Sequence, residues 1–168
     1  GFDTGSVVVF SGMDGSVVRK LIDPATTSSD HLGNSVAGLA DITGDGVPEI
    51  LAGVPRTSTF LGSSVGSVVI FSGADGSVVR RLTDPDAASN DQLGTSVAGL
   101  ADITGDGVPD VMAGVPFDDT LAGANAGSML IFSGADGSVV RKLTDPDAAP
   151  QDRLGSSVAV AGDLNGDG

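Results

Sequence analysis

The 168 residues include no cysteine, tryptophan or tyrosine, a single histidine and six phenylalanines. Without cysteine a disulfide framework is excluded, which fits many compartments, the bacterial cell exterior among them. No apolar run approaches the about 20 residues that a membrane-spanning helix needs, so membrane insertion is not expected. Cations are scarce too: eight Lys and Arg stand against 22 Asp and Glu, a net charge of −14. Contact with nucleic-acid phosphates needs clustered cations, so no nucleic-acid partner is expected. An enzyme would need converging acid–base groups. His31 stands where the other repeats place Gln92 and Arg153, which reads as a solvated loop position, and no catalytic residues are expected.

Glycine is abundant instead, with 26 residues, and with Ser, Ala and Val it favours short strands and tight turns. The chain repeats itself. Gly5-Ser-Val-Val-Val-Phe-Ser-Gly12 returns as Gly66-Ser-Val-Val-Ile-Phe-Ser-Gly73 and as Gly127-Ser-Met-Leu-Ile-Phe-Ser-Gly134, each 61 residues on. Breakers divide each unit into four strand-like runs. In one unit these are Ser96–Ala101, Asp110–Pro116, Gly127–Phe132 and Ser138–Leu143. The third is continuously apolar and reads as a strand buried on both faces. The fourth follows an Asp136-Gly137 turn and carries Arg141-Lys142, which suits an exposed edge.

Four strands per unit at this period predict blades of a β-propeller, an all-β fold of antiparallel strands. Small residues fit the crowded strands near the axis, and Phe10, Phe71 and Phe132 fill space between blades farther out. A parallel β-helix is the rival, but its repeats are shorter and lack regular hairpins. The expected division is a single repeat region over 1–168: residues 1–31 as strands three and four of a split blade, 32–92 and 93–153 as complete blades, and 154–168 as a first strand and the start of a turn. That makes eleven strands. Propellers close with about four to eight blades, so a longer array or an assembly of copies is expected.

One segment concentrates the acids. Asp41-Ile-Thr-Gly-Asp-Gly-Val-Pro-Glu49 recurs as Asp102 to Asp110, and begins again at Asp163-Leu-Asn-Gly-Asp-Gly168. Bunched carboxylates repel unless a cation neutralises them. Alternate positions supply Asp41, Thr43, Asp45, Val47 and Glu49, then Asp102, Thr104, Asp106, Val108 and Asp110, and in the incomplete copy Asp163, Asn165 and Asp167. Oxygen donors alternating round a glycine-assisted bend suit Ca²⁺, with the two valines donating backbone carbonyls. An EF-hand would place a bidentate Glu at position twelve, where Ala52 and Ala113 stand, so position nine must close the site. Mg²⁺ fits less well because it keeps more water and demands stricter geometry. Two complete Ca²⁺ sites and one incomplete site are expected. The bland alternative is an ordinary Asp-Gly turn capped by its own backbone.

The pattern Leu-Gly-x-Ser-Val-Ala-Gly-Leu-Ala, the acidic turn, and then Gly-Val-Pro resembles the FG-GAP repeat of integrin α-subunit N-terminal propellers and their bacterial relatives. The "FG" element is Leu32-Gly33, Leu93-Gly94 and Leu154-Gly155, and the "GAP" element is Gly53-Val54-Pro55 and Gly114-Val115-Pro116. The resemblance implies Ca²⁺ in the turn between strands one and two, and partner binding on the opposite face. Thr43 and Thr104 replace the usual Asp or Asn, which implies modest affinity, about 10⁻⁴ to 10⁻³ M.

The repeats differ most at 56–65 against 117–126 and at 25–31 against its counterpart, the connections expected on that opposite face. A protein or glycan ligand is expected there, alongside self-association or continuation in a longer array. The stripe Arg19-Lys20, Arg80-Arg81 and Arg141-Lys142 is expected to be a solvated rim. The function expected is a noncatalytic, calcium-binding propeller module of the cell surface or secreted fraction, for adhesion, scaffolding or self-assembly. The alternatives are a lectin-like glycan-binding module and the noncatalytic propeller region of a larger secreted enzyme.

Overall fold

A computed structural model describes residues 4–27 and 29–162 and contains ten strands there, with no helix. β1 (Val7–Phe10) and β2 (Val17–Leu21) form a two-stranded hairpin. β3 (Val36–Leu39), β4 (Glu49–Val54), β5 (Ser67–Phe71) and β6 (Val78–Leu82) pair in that order as an antiparallel sheet. β7 (Val97–Gly99), β8 (Val111–Val115), β9 (Ser128–Phe132) and β10 (Val139–Leu143) repeat the arrangement. These are β-propeller blades: two four-stranded sheets and a hairpin, all antiparallel.

Residue type decides each strand's place. β5 is buried along its whole length, as its unbroken apolar run requires, while β6 and β10 lie at sheet edges with their cations near solvent. The first strands of successive blades are the closest neighbours, and a Cβ on Gly99 would fall onto the Gly38 carbonyl oxygen. Only chains of very small residues can approach so closely.

The two sheets enclose a core of Leu39, Leu51, Val68, Ile70 and Leu82 on one side and Val111, Ala113, Val115, Leu130 and Phe132 on the other. Hairpin and first sheet share a second core, in which Val7 and Leu21 meet Val69 and Phe71. Phe71 and Phe132 have no solvent exposure at all. Burying a side chain of that size stabilises by about 1.5–3 kcal/mol.

Ten strands are formed among the described residues, and the eleventh was expected in 154–168, part of which lies outside them. Residues 157–162 run without a hydrogen-bonded neighbour, because no second strand lies beside them among the described residues. The segment is tied on at its start, where Leu154 bridges Gly127 in parallel, as Leu32 bridges Gly5 and Leu93 bridges Gly66.

The cationic stripe is not simply a solvated rim. Arg81 forms an ion pair with the buried Asp23 and donates to Ser67 Oγ at 2.8 Å. One repeat later Lys142 replaces Arg81 and Asp118 replaces Thr57, and the ion pair becomes Lys142 Nζ to Asp118 Oδ2 at 2.6 Å. A lysine has no second donor fork, and Ser128 Oγ is left buried without a partner. Asp84 and Asp91 are buried in the same neighbourhood. Burial pushes both carboxyls above the ordinary range. The amides of Asp86 and Ala88, donating to Asp84 and Asp91, and the charge of Lys142 pull the other way, while Asp118 adds to the rise.

A carboxyl whose folded pKa lies above its unfolded value costs nothing while both states are protonated. The cost builds as pH rises above the unfolded value and is complete once pH has passed the raised one. Asp84→Asn keeps an acceptor for the Asp86 amide and removes the buried charge. It is therefore expected to raise stability to urea at pH 7, with the gain vanishing below about pH 4.

Candidate metal centre

Each acidic turn leaves the innermost strand of a blade and returns as the second. Its first aspartate is held by the turn's own backbone. Asp41 Oδ1 accepts from the amides of Thr43 and Gly44 at 3.0 and 2.7 Å, and Oδ2 from Gly46 at 2.7 Å. Asp102 repeats this with Gly105 and Asp106 on Oδ1 and Gly107 on Oδ2. The Gly46 amide, helped by Gly44 and Thr43, holds the Asp41 carboxyl below the usual carboxylate range, and the Gly107 amide does the same for Asp102. Gly46 and Gly107 take positive φ angles of 82° and 88°, which aim their amides inward.

Asp45 and Asp106 accept from the amides of Val47 and Val108, at 2.8 and 2.9 Å. Both valines therefore occupy the seventh position in matching conformations. The hydroxyls of Thr43 and Thr104 lie beside the first aspartates, at 3.3 and 3.2 Å from Oδ1. Asp163, Asn165 and Asp167 lie outside the described residues.

The two turns differ at position nine. Glu49 is 1% exposed and Asp110 fully buried, so both acids enter the core from the head of the second strand. Glu49 Oε2 accepts from the Ile42 amide at 3.0 Å, but Oε1 is buried with no hydrogen-bond partner. One oxygen each from Asp41, Asp45 and Glu49 lie within 4.8 Å of one another. Asp110, one methylene shorter, is satisfied by protein. Its Oδ2 accepts from Ile103 and Thr104 at 2.9 and 3.1 Å, and its Oδ1 from Gly134 in the following hairpin turn at 3.0 Å. Among the described residues only the first turn gathers three carboxylates.

This donor set suits a hard divalent ion. Three carboxylates converge in the first turn, and Glu49 Oε1 is the buried oxygen of that turn that no protein donor satisfies. An ordinary capped turn explains Asp41 and Asp45 but leaves Glu49 Oε1 unexplained.

The turns lie between two motifs that bond to each other within each blade. Gly33 donates to Gly53 O at 3.0 Å and Gly94 to Gly114 O at 3.1 Å, joining the Leu-Gly and Gly-Val-Pro elements of one unit. The model of the FG-GAP repeat matches residues 93–132. Integrin alpha-V of Gallus gallus is 33% identical over 86% of this chain, and integrin alpha-8 of Mus musculus is 31% identical over 90%. The chain belongs to the FG-GAP repeat family. Integrin alpha-2 of Bos taurus is 28% identical over 98% of the chain. The chain spans only 14–15% of the length of these relatives.

Sequence reasoning treated the acidic turns of this FG-GAP chain as equals and missed what divides them. The signal was available in Glu49 against Asp110, a one-methylene change at a buried position. It also missed the inter-blade carboxylates. Their signal was the paired change of Thr57 and Arg81 to Asp118 and Lys142.

Asp110→Ala leaves the buried Gly134 amide without its acceptor and frees the Ile103 and Thr104 amides of the exposed turn, and is expected to cost about 1–3 kcal/mol in chemical denaturation with or without divalent ions.

Proposed function

We propose that this chain is a noncatalytic, calcium-stabilised propeller module that acts outside the cell in adhesion or surface scaffolding. The observation that carries the calcium reading is the unpaired Glu49 Oε1 beside Asp41 and Asp45. Asp41, Asp45 and Glu49, with Thr43 and the Val47 carbonyl, would hold the first ion. Asp102, Thr104, Asp106, Val108 and Asp110 would hold a second, more weakly, because Asp110 must first release Gly134. Asp163, Asn165 and Asp167 would begin a third. The ion neutralises the carboxylates and so adds to stability by mass action. Weak sites of this kind fill only where calcium is abundant, which supports a location outside the cell.

The adhesion reading is supported by the integrin relatives and by the face opposite the turns. There the connection after β4 and the passage from β6 to β7 bond together, through Asn90 to Ser63 O and Gln92 to Ser64 O. Phe60 and Leu121 stand at the tips of that face, almost wholly exposed. Beside them lie grooves of about 410 Å³, against Thr83 and Pro85, and 720 Å³, against Thr144 and Pro146. Apolar tips of this kind suit a protein ligand.

Thermal melting in EDTA, Ca²⁺ and Mg²⁺ tests the calcium reading. At 10 mM Ca²⁺ and an affinity near 10⁻⁴ M the midpoint is expected to rise by about 5–10 °C. Glu49→Gln is expected to melt no lower than the parent in EDTA and to lose most of the calcium gain. Equal midpoints in all three solutions, or an undiminished gain in Glu49→Gln, would overturn it.

A further inference from the structure

The seam between hairpin and first sheet and the seam between the two sheets are built alike at their outer edge. Arg19, on β2, donates to the Ala74 carbonyl of the next blade at 2.7 Å, and Arg80, on β6, to the Ala135 carbonyl one repeat later at 2.9 Å. Each seam also buries two aspartates from the passage between blades. These are Asp23 and Asp30 in the first and Asp84 and Asp91 in the second, none more than 7% exposed. The seams differ in what faces those acids.

The first seam is well supplied with donors. Asp30 accepts from the Thr27 amide at 2.7 Å and from the Thr27 hydroxyl at 3.1 Å. Arg81 forks between Asp23 and Ser67 Oγ, which also meets Thr57 Oγ1 at 3.0 Å. In the second seam Ala88 stands in place of Thr27, so Asp91 keeps the backbone amide, at 2.6 Å, and loses the hydroxyl. Asp118, 6% exposed, stands in place of Thr57 and adds a third acid. Lys142 stands in place of Arg81, and its Nζ lies 2.6 Å from Asp118 Oδ2 without hydrogen-bond alignment. Ser128 Oγ, fully buried at the position where Ser67 receives the arginine, has no partner.

Three buried acids therefore share one lysine. Asp84 and Asp91 feel each other's charge, that of Asp118 after β8 and that of Lys142 on β10, and Asp84 also feels Asp86 on its own passage. With Lys142 drawn to Asp118, the other two carboxylates are held by the amides of Asp86 and Ala88. Such a pair is short of one positive charge, and a proton can supply it without disturbing the packing. All of these groups belong to the two four-stranded sheets and the passage joining them, so the contact is internal to the repeat array.

We propose that the seam between the two sheets is a proton-binding contact, which takes up a proton between Asp84 and Asp91 on acidification and tightens, and which releases it and loosens toward neutral pH. Burial favours the neutral acid in the folded state, so stability is lost as pH rises and regained as it falls, in a window above the ordinary aspartate value of about 4. Asp84 also lines the groove beside Phe60, and Lys142 the one beside Leu121. The seam thus adjoins the face assigned to a partner, although the proposal does not rest on that assignment.

The test rewrites the second seam as the first. A triple variant of the full chain, Ala88→Thr with Asp118→Thr and Lys142→Arg, introduces only residues that the preceding repeat already accommodates. Parent and variant are unfolded in urea at pH 7 and at pH 5, with EDTA present so that no divalent ion contributes. The parent's midpoint is expected to be higher at pH 5 by at least about 0.3 M, and the variant's to change by less than half as much. Both chains keep His31 and the acidic turns, so the difference between them reads the seam. The ¹³C resonances of the Asp84 and Asp91 carboxyls, followed in the parent from pH 8 to pH 3, locate the proton directly and do not depend on the variant's folding. At least one of them is expected to titrate above the ordinary aspartate range. A parent no more stable at pH 5 than at pH 7, a variant that keeps the full rise, or two carboxyls that both titrate within the ordinary range would each overturn the proposal.

Discussion

Everything in this chain depends on how closely the backbone of one blade approaches the next. A Cβ on Gly53 would fall onto the Gly94 carbonyl oxygen, and one on Gly114 onto that of Gly155. The same carbonyls accept from Ser35 Oγ at 2.8 Å and Ser96 Oγ at 2.7 Å. The glycine of each Gly-Val-Pro element is therefore required by the Leu-Gly element of the following unit. Within the strands this contact fixes the register, since a shift of one residue there would put a side chain where only hydrogen fits. With that spacing fixed, Phe71 and Phe132 fall between sheets and the acidic turns fall outside them.

Charge is distributed around this frame in two ways. In the turns, carboxylates are solvated or tied to backbone amides, and only Glu49 carries an unmet oxygen into the interior. Between the sheets, Asp84, Asp91 and Asp118 share a single lysine, a poorer arrangement than the Arg81–Asp23–Ser67 contact one repeat earlier. A bound cation would relieve the first set. The second is a burden on stability, tolerated because the apolar packing beside it is extensive.

Much of the fold was legible because the repeat prints each local decision several times. Gly127 to Phe132 could be placed as a buried strand from its unbroken apolar run, and Ser138 to Leu143 as an edge from its paired cations. The convergence of Asp41, Asp45 and Glu49 was legible from their spacing. What was hidden depended on contacts between units, which no single repeat displays. Arg19 and Arg80 look like solvated rim residues until the next blade's turn is laid over them. Val158 and Val160 look like a strand, but a strand needs a neighbour to pair with. The difference between Glu49 and Asp110 is one methylene, and its effect appears only when the Gly134 amide is close enough to claim the shorter acid.

The most direct test of a cation in these turns is residue by residue. Amide resonances of Gly46 and Gly107, the donors to Asp41 and Asp102, can be followed by ¹⁵N NMR as Ca²⁺ is added to the metal-free protein. The account predicts that both shift, with Gly46 saturating at lower Ca²⁺ than Gly107, because Glu49 is already placed and Asp110 is not. Shifts confined to other parts of the chain, with both glycines unmoved, would contradict it.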